Sequence, residues 1–111
     1  MPLLDGHKDY AAAKSAFLSG RGKSSTKVSV KRHCIVDHPK RKFTEREIIL
    51  LVAHANGSVE KNLGHSAIPG TVMFKCKDSD EDLCEFAIKI YYESKSGNHI
   101  IVVHAFRRDK T

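Results

Sequence analysis

The spacing of apolar residues changes once along this chain, at Asn56-Gly57, and no other feature restricts the fold as strongly. Upstream, Ile48, Leu51, Val52 and Ala55 recur at i, i+3, i+4 and i+7, which is one stripe along a helix. Downstream, Phe86, Ile88, Ile90 and Tyr92 alternate with Glu85, Ala87, Lys89 and Tyr91, the period of a strand with one buried face. Helical period first and strand period second predict an α+β fold, with N-terminal helices packed on one face of an antiparallel sheet of about four strands. The 111 residues leave room for one core, so one globular domain is expected.

Local signals place the elements. Thr44 and Glu47 form a T-x-x-E capping box, with Phe43 and Ile48 at the positions of a hydrophobic staple, so a helix begins there; Asn56-Gly57 stops it. His54 falls opposite its apolar stripe. Tyr10, Ala13, Ala16 and Phe17 predict a shorter helix over 9–18, with Gly20 as its left-handed terminus. Residues 20–27 read as a flexible basic linker, so 1–27 is an N-terminal helix plus linker and 28–111 the body of the domain. Val28 to His38 fits either a strand or a short helix capped by Ser29 and ending before Pro39. The helix is the favoured reading, and it puts Val30, His33, Cys34 and Asp37 on one face with Lys31 and Arg32 beside them. Thr71 to Cys76 reads as a strand after the Pro69-Gly70 turn, and residues 85–92 and 99–106 as a hairpin. Its second strand is apolar on both sides, as a central strand is; unbroken alternation groups His104 with Ile100, Val102 and Phe106.

Charge narrows the function. The formal net charge is +6, and it is unevenly placed. Residues 21–46 carry Arg21, Lys23, Lys27, Lys31, Arg32, Lys40, Arg41, Lys42 and Arg46 against Asp37 and Glu45, whereas 77–85 is strongly acidic. A basic segment and a basic tail are the footprint of a polyanion-binding protein, and RNA is the expected partner. No apolar run approaches the length of a membrane span, and Asp5 interrupts the place of a signal-peptide core, so no membrane association and a cytoplasmic site of action are expected. Three cysteines without a CxxC pair give neither a disulfide framework nor a four-cysteine zinc site. The acidic loop has Leu83 where a calcium loop needs glycine, and Gly22-Lys23-Ser24 lacks the first glycine of a phosphate-binding loop. No metal and no cofactor are expected.

Seven histidines in a basic domain suit metal-independent RNA cleavage. That reaction needs one group to take the proton of the 2′-OH, one to protonate the leaving oxygen, and cations around the phosphorus. The candidates are His33 with Lys31 and Arg32, and His104 with Arg107 and Arg108. Arg32, Arg41, Lys42, Arg46, Lys89 and Arg108 are the candidate nucleic-acid contacts. A non-catalytic nucleic-acid-binding module using the same basic segment is the alternative.

The stretch from Lys31 through His38 and the basic residues to Phe43-Thr-Glu-Arg-Glu-Ile-Ile-Leu-Leu-Val-Ala-His-Ala-Asn-Gly resembles the helical half of small RelE-like domains. The run Phe86-Ala-Ile-Lys-Ile-Tyr-Tyr followed by His99-Ile-Ile-Val-Val-His-Ala-Phe-Arg-Arg resembles the last hairpin of RelE/HigB-type toxins, within the barnase, EndoU, colicin and RelE group of metal-independent ribonucleases. The resemblance covers about residues 28–111. It implies a toxin ribonuclease acting on tRNA or mRNA, with His33, His104, Arg107 and Arg108 carried over from the family's positions; together with the reading of the residues themselves, His33, His104, Lys31 and Arg107 are the expected catalytic set. It also implies a cognate antitoxin or immunity protein, acidic to match the basic face, and it leaves open delivery as part of a larger secreted toxin.

Overall fold

The computed structural model describes residues 3–32, 34, 43–62, 68–93 and 97–108. The elements run β1 (Leu3–Leu4), α1 (Tyr10–Gly20), β2 (Lys27–Val30), α2 (Glu45–His54), β3 (Gly57–Lys61), β4 (Val72–Lys77), β5 (Leu83–Glu93) and β6 (Gly97–Arg108). The fold is α+β, with both described helices on one face of an open sheet of six strands rather than four, ordered β2-β6-β5-β4-β3. β4 pairs with β5 as far as Ile88, and β1 takes up the same side of β5 at Ile90 and Tyr91. All pairings are antiparallel except that of β2 with β6. No helix among the described residues is long and apolar enough to cross a membrane.

The core lies where the alternation of β5 places it. Phe86, Ile88 and Ile90 are buried together with Val72, Phe74 and Cys76 of β4 and Ile100 and Val102 of β6. α1 presses Ala13 and Phe17 onto this surface, and the rings of Phe17 and Phe74 stand 5.2 Å apart. α2 contributes Ile48 and Val52, while Phe43, just ahead of it, packs on Phe86 at 5.4 Å. The N-terminal cap forms as the sequence predicts: Thr44 Oγ accepts the Glu47 amide at 3.0 Å, an interaction whose loss costs about 1 kcal/mol. Only half of the capping box closes, because the Glu47 carboxylate turns to Arg107.

Three expectations need correction. The favoured helix over 28–38 gives way at its start to β2, in which Val28 and Val30 pair in parallel with Ile100 and Val102. The distant β6 edge supplies a ladder that no local signal announces; His33 and residues 35–42 lie outside the described residues. Secondly, α1 runs through Gly20, which is buried, and the left-handed residue is Gly22, at φ 77°. The expected flexible linker is tied down beyond it. Arg21 lies 4.4 Å over the Phe74 ring and donates to the carbonyls of Leu51 and Ala55, joining α1, α2 and the sheet.

The third correction concerns β6. The register passes from Ala87 opposite His104 to Ile88 opposite Val102, so Val103 is an extra residue, a β-bulge. Because strand side chains alternate between faces, one inserted residue exchanges the faces of everything beyond it. Ile100 and Val102 point toward the helices, but His104 and Phe106 point away, and Ala105 and Arg107 come round to the helical side. The expected grouping of His104 with Ile100 and Val102 is therefore wrong.

Candidate nucleic-acid interface

His104 and Arg107, three residues apart on β6, fall on opposite faces of the sheet by alternation, and the bulge decides which face each takes. On the helical side, Arg107 is enclosed: Nη2 lies 2.6 Å from Glu47 Oε2, Nε lies 3.0 Å from Asp78 Oδ2, and the guanidinium stands 4.2 Å over the Phe43 ring. Burial opposes its charge, but hydrogen bonding to Cys84 and the nearby Glu47 outweigh this, and its pKa is raised. Two carboxylates and an aromatic face thus occupy the cation expected to hold phosphate. The same region is dry enough to push the Cys76 thiol up to about 12, chiefly through burial and then through Cys84 beside it. Burial raises Cys84 as well.

The opposite face of the sheet carries no helix or strand among the described residues, and its side chains follow from the register. Lys27, His99, Tyr91 and Leu3 form one row across β2, β6, β5 and β1; Ser29, Ile101 and Lys89 form the next. His104 and Ala87 follow, then Phe106, Glu85, Lys75 and Ser58. Most are half-buried, whereas Leu3, Lys27 and Ser58 are exposed and Ala87 is buried.

Two carboxylates of this face, Glu60 on β3 and Glu85 on β5, flank Lys75, whose Nζ stands 2.8 Å from the first and 3.6 Å from the second. The hydrogen bond from Lys75 to Glu60 raises the lysine pKa, partly offset by desolvation. Toward β2, Lys27, Ser29, His99, Tyr91 and Lys89 come together with no carboxylate directly opposite any of them. Ser29 Oγ lies 2.8 Å from His99 Nε2.

Of the residues singled out in the sequence, the structure brings His104 and Lys89 onto this face and places Arg107 behind it. Lys31 and Arg32 are exposed just past β2, and the Lys31 amide continues the parallel ladder to Val102 O at 3.0 Å. Arg46 is exposed on α2, beside a shallow hollow that it shares with Glu47, Leu50 and Asp78. The backbone of Arg108 ends β6 opposite Leu83. His33, Arg41 and Lys42 lie outside the described residues. Sequence reasoning did not single out His99 or Ser29, and it named Lys27 only within the basic segment. The alternation of β5 had already isolated Glu85, Lys89 and Tyr91 as a second face, but which strands would lie beside them depends on pairings distant in sequence. Comparison with protein families, with curated proteins and with solved structures finds no match.

Proposed function

We propose that the protein is a metal-independent endoribonuclease of the toxin type, acting in the cytoplasm on tRNA or mRNA, and that it holds RNA on the sheet face turned away from the helices. One observation carries the reading: at the end of this face nearest β2, Lys27, His99 and Lys89 stand together, with His104 further along β6, while Glu60 and Glu85 flank Lys75. Cations at that end draw in the phosphate backbone, and histidine is the side chain able to exchange protons near neutral pH. Attack by the 2′-oxygen forms the O2′–P bond and breaks the P–O5′ bond, leaving a 2′,3′-cyclic phosphate and a 5′-hydroxyl. A base takes the 2′ proton and an acid supplies one to O5′, so no other reactant is required. His104 is one of these groups. Arg107, expected in a catalytic role, serves the fold instead. An acidic antitoxin or immunity protein suits a basic face of this kind, since complementary charge accelerates encounter.

The decisive measurement is incubation of the purified protein with total RNA in EDTA. Discrete products ending in cyclic phosphate, lost in His104→Ala, support the reading. The enclosure of Arg107 favours the alternative, a non-catalytic RNA-binding module, and that alternative predicts intact RNA with a salt-sensitive gel shift.

A further inference from the structure

We propose that Asn56 is a site of spontaneous modification, losing its side-chain amide through ring closure onto the backbone nitrogen of Gly57. The reaction needs a side-chain carbonyl carbon, a following backbone nitrogen that is neither shielded nor held in a hydrogen bond, and water. Glycine leaves that nitrogen unshielded, and the fold demands glycine at 57: a β-carbon there would collide with the Lys75 carbonyl oxygen and stand 2.8 Å from the Phe74 ring. The parity of the sheet leaves the nitrogen free. Asp78 N donates to Asp82 O at 3.1 Å, so these two are a hydrogen-bonded pair, and alternation makes Cys76–Cys84 and Phe74–Phe86 the same. Met73 and Lys75 between them therefore turn their backbone groups to β3, where they meet Glu60 and Ser58. Gly57 and Val59 turn theirs outward. Val59 shows it, since its carbonyl accepts from the Tyr10 hydroxyl at 3.0 Å. Asn56 itself is exposed, belongs to neither α2 nor β3, and with Gly57 lines an open hollow that admits water.

A second pair of this kind, Asp5-Gly6, is protected by the fold. The Asp5 carboxylate accepts from the amides of His7 at 2.8 Å and Lys8 at 3.0 Å, and Gly6 N donates to Gly70 O at 3.0 Å. Of the other asparagines, Asn62 is buried and donates to Thr71 Oγ1 at 2.7 Å, and Asn98 lies within β6 ahead of His99. In the step itself Gly57 N bonds to Asn56 Cγ, its proton leaves with the amide nitrogen, and ammonia departs from a succinimide. Water then opens the ring at either carbonyl. One opening gives aspartate and the other isoaspartate, in which the main chain runs through the former side-chain carbon. Each puts a carboxylate just past the C-terminal end of α2, where the helix dipole disfavours it, and the second lengthens the backbone immediately before β3. Ala55 is held by Arg21 on one side and Gly57 is wedged against Lys75 on the other, so β3 has to absorb the extra length.

The test incubates the purified chain in warm, mildly alkaline buffer and follows each asparagine by peptide mass spectrometry, with an isoaspartyl-specific methyltransferase reporting the rearranged product. The Asn56 peptide should pass almost wholly to the acid mass and split into two chromatographic forms, isoaspartate the larger, at a rate that rises with hydroxide concentration. Asn62 and Asn98 should keep their amides, and Asp5 should accept no methyl group. Asn56→Gln, whose longer side chain closes a ring far less readily, should keep its amide and accept none either. In the isolated isoaspartate form, hydrogen exchange at Ser58 and Glu60, the β3 amides turned toward β4, should accelerate several-fold while exchange in β5 and β6 stays as it was. An Asn56 amide that lasts as long as that of Asn98 overturns the proposal. Conversion to aspartate without isoaspartate overturns it as well, since that product comes from direct hydrolysis and not from the ring. Unchanged exchange at Ser58 and Glu60 overturns the loosening of β3.

Discussion

The two faces of the sheet carry similar side chains and use them differently. On the helical face, Arg21 and Arg107 are each laid over a phenylalanine ring, with backbone carbonyls or carboxylates closing around the guanidinium. On the other face, Lys27 and Lys89 stand among hydroxyls and imidazoles. A count of basic residues treats the four alike. The comparison teaches that a cation bears on a phosphate only when the fold has not already supplied it with an internal partner, and burial decides which case holds.

The sharpest way to break the comparison is to remove one group from each face and ask what is lost. His104→Ala should reduce RNA cleavage by about 10²- to 10⁴-fold with little change in RNA affinity, measured by single-turnover assay and gel shift. A loss of folding without a selective loss of rate would move His104 to the structural side. Arg107→Ala should do the reverse. Removing a guanidinium that is 15 % exposed strands Asp78, 5 % exposed, and costs about 3 kcal/mol in denaturant unfolding. A cleavage defect in Arg107→Ala at unchanged stability would return that residue to the site.

Alkaline unfolding sharpens the helical side further. The folded Cys76 thiol titrates at about 12 against an ordinary value of 9.0. Above the ordinary value the unfolded chain releases this proton while the folded one keeps it, so the stability contribution, intact below pH 9.0, declines as pH rises toward about 12. Cys76→Ser, which has no proton to lose in that range, should flatten this part of the curve; an unchanged slope would assign the alkaline loss to other groups. The smallest expected change in stability belongs to Lys89→Ala, within about 0.5 kcal/mol, accompanied by a fall of about one in the salt slope of RNA binding. A slope that does not move would take Lys89 out of the interface.

Much of the fold was legible because its signals are local. The Thr44 cap, the stripe of α2 and the alternation of β5 each lie within a dozen residues, and each forms nearly where the spacing puts it. The candidate site was legible only in part, for two reasons. The Val103 bulge leaves no mark in an apolar run, yet it decides that His104 faces away from the helices and that Arg107 faces them. β2 is too short for its four residues to identify themselves, and they become a strand only because β6 offers an edge. Nothing in the sequence singles out His99 for the same reason: Ser29, its partner, is 70 residues away.

That parallel ladder has a consequence for when the molecule becomes competent. Local helices and the β5–β6 hairpin join residues close in the chain and close quickly, whereas aligning β2 with β6 must first close a loop spanning most of the sequence. Ordering of Ser29 against His99 therefore belongs to the slow, late part of folding, after the hydrophobic layers have met. A chain that has collapsed but not yet docked β2 already holds its aromatic core and its enclosed arginines, and lacks the half of the face that the proposed function assigns to phosphate. Competence to act on RNA would then arrive abruptly, with the last strand.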